Sequence, residues 1–181
     1  MTAAIFIIMP FVLQGLAMAF DEGYFHRRRG LPRWERIGHP LDTLTVLAAF
    51  SWILFTAPSS KGAMVFAALA TFSCFFVTKD EWVHSEYCSP GEQWLHGVLF
   101  LLHPLIFVAA ALIWPALHLP ASHLIERASD LTWLSSLSAS LGLGVFEARF
   151  FFGQFLLVLL VLVYQTVYWN FLWKPRALPI S

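Results

Sequence analysis

Between Lys79 and His103 the chain reads KDEWVHSEYCSPGEQWLHGVLFLLH, a stretch in which acids and histidines recur at helical spacing beside long apolar runs. Asp80 and Glu81 stand four and three residues before His84, and Glu92 stands four before His96. Residues three or four apart share one face of a helix, so each acid–imidazole pair can grip a single ion or proton from adjacent turns. Glu22 with His26 repeats the four-residue spacing, and His39 with Asp42 reverses the order at three.

Such pairs offer carboxylate oxygen and imidazole nitrogen, donors that suit iron, manganese or zinc, and carboxylates can bridge two cations. The expected ligands are Glu22, His26, His39, Asp42, Glu81, His84, Glu92 and His96 around two metal ions, with iron favoured and zinc or manganese as alternatives. Asp21 and Asp80 are substitutes or outer partners. His103 lies seven residues beyond His96 on the same helical stripe and reads as a hydrogen-bonded core or pocket histidine, or an alternative ligand. Tyr168 and Asn170 offer outer hydrogen bonds, although Tyr168 with Trp169 and Trp173 also fits an interfacial aromatic belt. The two cysteines, Cys74 and Cys88, lack CxxC spacing and suggest neither a disulfide framework nor a structural zinc site.

The elements that position these residues follow from composition. The chain has 181 residues, 59% of them hydrophobic and 12% charged, which is the balance of an integral membrane protein. Runs at 2–20, 41–57, 63–78, 92–114 and 146–173 can each cross a hydrocarbon layer as a helix. The first lacks a basic leader and a small-residue cleavage site, so it is expected to be an uncleaved span. Gly30 to Pro40 reads as a basic interfacial connector, with Pro40 near the start of the second span. A zero formal net charge gives no basic face for nucleic acid.

The fold class is therefore all-α, a polytopic bundle of about five spans in a single domain, 1–181, with an interfacial helix expected within 116–144. Arg27, Arg28, Arg29, Arg33, Arg36, Lys79, Lys174 and Arg176 fall on one side, against Lys61, Arg127 and Arg149 on the other. Positive residues favour the cytoplasm, so the expected orientation is N-out, C-in, in a bacterial-type inner or plasma membrane, with the metal cluster at the cytoplasmic edge. His118 and His123 fall on the opposite side.

Glu81-Trp-Val-His84, with the related acid–histidine pairs on the other helices, resembles the ligand pattern of membrane-associated di-iron carboxylate proteins and ferritin-like bundles. The resemblance implies a dinuclear non-haem iron oxidoreductase acting on a lipid or quinol-like substrate, served by an electron donor. Two other classes use the same residues differently: a zinc-dependent membrane lipid hydrolase, and a non-enzymatic subunit that binds haem or handles metal. Haem is the less favoured cofactor because most of the histidines have acid neighbours.

Overall fold

A computed structural model describes residues 2–118 and 130–174, and among these there are helices and no strands. Helix α1, Thr2–Phe20, continues through a π-helical turn, Asp21–His26, and a last helical turn, Arg27–Arg29. α2 is Arg33–Phe55, and α3, Ser60–Phe76, passes through a tight 3₁₀ turn, Val77–Asp80, into the short α4, Glu81–Tyr87. α5 is Pro90–Leu117, α6 is Thr132–Ser140, and α7, Val145–Val167, ends in a second π-helical turn, Tyr168–Leu172. Five of the resulting rods are long and apolar enough to cross a membrane.

Local chemistry explains where these helices start and stop. Ser59 and Ser89 cap α3 and α5, their hydroxyls accepting from the amides of Gly62 (3.1 Å) and Glu92 (3.3 Å), and Pro90 occupies the first turn of α5. Gly30 ends the first rod with φ of 77°, and a Cβ there would come within 2.7 Å of the Trp173 ring.

Helix α2 departs from the expected connector. It begins at Arg33, and Pro40 lies inside it. Proline has no amide hydrogen, so the Arg36 carbonyl, four residues earlier, loses its helical donor. The Asn170 side-chain amide replaces it, donating to the Arg36 carbonyl at 3.1 Å. A proline that reads as a helix start is thus tolerated inside the helix by a side chain from the end of α7.

The core is aromatic. Phe11, Phe50, Phe107 and Phe151 are buried together, with Phe50 and Phe151 ring centroids 4.9 Å apart in a tilted pair. Trp114 seals the end remote from His26 and His96, its indole N–H donating to the Thr56 carbonyl at 2.7 Å. Outward-facing Phe6, Leu16, Phe55, Met64, Phe75 and Leu101 are exposed. That much apolar surface has no counterpart on a water-soluble domain and suits a lipid surround. α6 falls inside the stretch expected to hold an interfacial helix and packs on α5; residues 119–129, including His123, Glu126 and Arg127, lie outside the described residues, as do 175–181.

Candidate metal centre

The π-helical turn at the end of α1 shapes the centre. A π turn aligns residues five apart, and Asp21 and His26 have that separation. His26 Nε2 lies 3.1 Å from Asp21 Oδ2, and its Nδ1 is bonded to Glu22 at 2.8 Å. One imidazole is therefore held between two carboxylates of its own turn. The second π turn, at the end of α7, buries Trp169, which donates its indole N–H to the other Glu22 oxygen.

Four imidazoles from four helical segments form a ring at this end of the bundle. Around the ring, centroids are separated by 4.9 Å for His26–His39, 6.4 Å for His39–His84, 4.2 Å for His84–His96 and 6.4 Å for His96–His26. Glu35, Glu92, Asp21 and Glu22 surround them. Arg29 ties two of these acids, Nη2 donating to Glu35 Oε2 and Glu92 Oε1 at 2.8 Å each. Of the four carboxylates, Arg29 thus pairs with two, while Asp21 and Glu22 face His26.

Much of the polar inventory has no partner. Among the described residues, Asp21 Oδ1, His26 Nε2, Glu35 Oε1, both ring nitrogens of His84 and His96 Nδ1 are buried without a hydrogen bond. His26 Nε2 is close to Asp21 but off the direction a hydrogen bond requires. At about 1–3 kcal/mol for each orphaned group, these six atoms carry a cost on the order of 10 kcal/mol, comparable with the whole stability of a domain. A cation bound by the lone pairs among them would offset much of that cost, the His84 ring offering one lone pair and one N–H.

Donor atoms converge within 4.8 Å of one another in four overlapping sets: Asp21, His26, Glu92, His96; Glu35, His39, His84; Glu22, His26, His39; and His84, Cys88, His96. The first two share no residue, and these buried Asp/Glu/His clusters could hold a metal ion. Without metal, burial pushes the Cys88 thiol up to about 12, and a cation in the fourth set would draw it to the thiolate.

No family model, curated protein or solved structure matches this chain. The site must be read from its own residues.

Among the ligands expected from spacing, Glu22, His26, His39, His84, Glu92 and His96 come together in these sets. Asp42 and Glu81 do not join them. Asp42 is bound by Lys79 Nζ at 2.7 and 2.8 Å, and the same ammonium reaches Asp80 Oδ2 at 2.8 Å. Glu81 has a largely exposed side chain, its oxygen 3.8 Å from His84 Nδ1. The 3₁₀ turn is the reason: it turns Asp80 inward, where it is almost fully buried, and leaves the next residue at the surface. His103 bonds to Ser73 at 3.0 Å, away from the imidazole ring, and Tyr168 stacks on Tyr164 at 5.2 Å. Asn170 serves the Arg36 carbonyl rather than a ligand.

Glu35, Arg29 and Trp169 are the participants that spacing missed. A readable signal existed for Glu35, which stands four residues before His39 once Arg33 begins the helix. The arginine triplet divides: Arg28 lies over the Tyr24 ring at 4.0 Å, Arg27 over Tyr168 at 5.9 Å, and Arg29 alone turns into the centre.

A cavity of about 580 Å³ opens onto this cluster. Asp21, Glu22, His39, His84 and His96 line its polar end, and Phe11, Val46, Phe50, Ile106 and Val158 are among its apolar walls. An amphiphile of matching shape would place its head at the imidazole ring and its tail among the spans.

Proposed function

We propose that this protein is a membrane-embedded metal-dependent oxidoreductase whose centre holds two metal ions, iron favoured, and acts on a lipid or quinol-like substrate. The observation that carries the reading is the pair of disjoint donor sets, Asp21/His26/Glu92/His96 and Glu35/His39/His84, rich in unpartnered buried atoms. Glu22 adjoins both through His26 and His39. Oxygen and imidazole donors in this proportion are the ligand chemistry of non-haem iron, which would supply redox capacity that the side chains lack.

The chain's own residues do the remaining work. Arg29 holds Glu35 and Glu92 in place and balances part of their charge. Trp169 orients Glu22, and Glu22 orients the His26 ring. An acyl chain filling the mostly apolar cavity would exclude water from the centre. The basic residues concentrated at this end support a cytoplasmic position, N-out and C-in, within reach of a soluble reductant.

The His84, Cys88 and His96 set favours a second reading, because a thiolate with two imidazoles is a zinc ligand set and zinc would serve lipid hydrolysis. Oxygen uptake separates the two. Reduced, iron-loaded protein is expected to consume oxygen faster when a quinol or unsaturated lipid is added, and His84→Ala to abolish the increment. Lipid hydrolysis by the zinc form without oxygen, together with no uptake by the iron form, would overturn the oxidoreductase reading.

A further inference from the structure

Beyond the imidazole ring lies a second polar tier. Gln14, Ser73 and His103 are each seven residues from Asp21, Asp80 and His96, so they sit at a common depth about 10 Å from the cluster along their helices. Gln14 and His103 line the cavity there, and His103 is buried against Phe107, with its ring edge-on at 5.2 Å.

The three contacts at this depth can all be hydrogen bonds in only one direction. Thr45 Oγ1 donates its one hydrogen to the Asp42 carbonyl at 2.7 Å, since a carbonyl can only accept. Its contact with Ser73 Oγ, also 2.7 Å, must therefore be donated by Ser73. Ser73 has then spent its own hydrogen, so in its 3.0 Å contact with His103 it accepts from Nε2–H. In the neutral ring the proton on Nε2 leaves Nδ1 as a bare acceptor. Among the described residues Nδ1 has no partner.

We propose that His103 Nδ1 is a recognition point for a hydroxyl partway along the tail of the bound amphiphile. The substrate class is then a lipid with its head at the imidazole ring and a hydroxyl about 10 Å along the chain. Gln14 does not supply this selectivity, because an amide presents a donor and an acceptor and can turn either toward the ligand. The Thr45–Ser73–His103 relay cannot turn without losing its bond to the Asp42 carbonyl. A keto group at the same depth meets an acceptor and is not favoured. The proposal rests on the amphiphile reading of the cavity given above, but requires neither metal nor turnover.

The test uses metal-stripped protein in lipid nanodiscs and three monoacylglycerols of octadecanoic acid: unsubstituted, mid-chain hydroxy and mid-chain oxo. Wild type is expected to bind the hydroxy lipid about five-fold tighter than the unsubstituted one, the worth of one added hydrogen bond, and the oxo lipid no tighter. His103→Phe removes the hydroxy preference. Thr45→Val, a near-isosteric change, frees the Ser73 hydrogen to donate to Nε2, so Nδ1 gains the proton and the preference moves toward the oxo lipid. A role in packing alone would not invert a preference. Equal affinities for the three lipids, no binding, or a preference untouched by both substitutions overturns the proposal. Because metal is absent throughout, any of these results is distinct from a failure of the oxidoreductase reading.

Discussion

Glu35→Gln tests the division of the centre into two donor sets. Glu35 is fully buried, with Oε2 on Arg29 at 2.8 Å and Oε1 unpartnered at 3.9 Å from His84 Nε2. Glutamine keeps the shape and one oxygen for Arg29, but weakens that bond and removes one of the two carboxylates that Arg29 pairs with. These effects oppose each other, so without metal the variant should lie within about 1 kcal/mol of wild type. With metal the outcome differs. At a free ion concentration one hundred times Kd, each bound ion stabilises the folded state by about 2.7 kcal/mol. Loss of the ion held by Glu35, His39 and His84 should remove about that much of the metal-induced gain, a shift in Tm on the order of 5 °C or more. The assay is thermal unfolding in detergent with and without saturating ferrous iron, paired with metal content per chain. A variant that keeps two ions and the full metal-induced shift would refute the donor-set assignment.

Three further outcomes follow from the packing. Asn170→Ala should cost about 1–3 kcal/mol by orphaning the Arg36 carbonyl, and the cost should shrink in a Pro40→Ala background, where residue 40 again supplies an amide donor; equal costs in a double-mutant cycle would exclude the compensation. Gly38→Ala should destabilise by about 1–3 kcal/mol, measured by thermal unfolding, because its Cβ would lie 2.7 Å from Asp80 Oδ2 in the Lys79 ion cluster; an unchanged Tm would show that the cluster yields. Single cysteines at Ser60 and Ser85, in a background without Cys74 and Cys88, should label from opposite faces of a sealed vesicle, and labelling of both from one face would reject the five-span topology.

The five long apolar helices were legible because being able to cross a membrane needs only length and apolarity, which the sequence shows directly. The pairing of Glu22 with His26, at 2.8 Å, was legible as a four-residue spacing. Departures from the regular helical period were not. The contact between Asp21 and His26 depends on a π turn, and the inward turn of Asp80 with the exposure of Glu81 depends on a 3₁₀ turn. Pro40 looked like a boundary because its compensating partner, Asn170, is 130 residues away in sequence. Asp42 looked like a ligand because its spacing from His39 carries no information about Lys79, which reaches it from the end of α3. Spacing reports which residues share a face; only tertiary packing decides whether that face meets a cation from the chain or one from solution.

Metal content of the purified wild-type protein, measured by elemental analysis alongside its visible spectrum, tests most directly whether the histidine–carboxylate centre holds two non-haem metal ions. Two metal ions per chain are expected, iron in the active form, with no Soret band. A chain purified gently and offered ferrous iron that binds no metal, or that carries haem instead, would contradict that expectation.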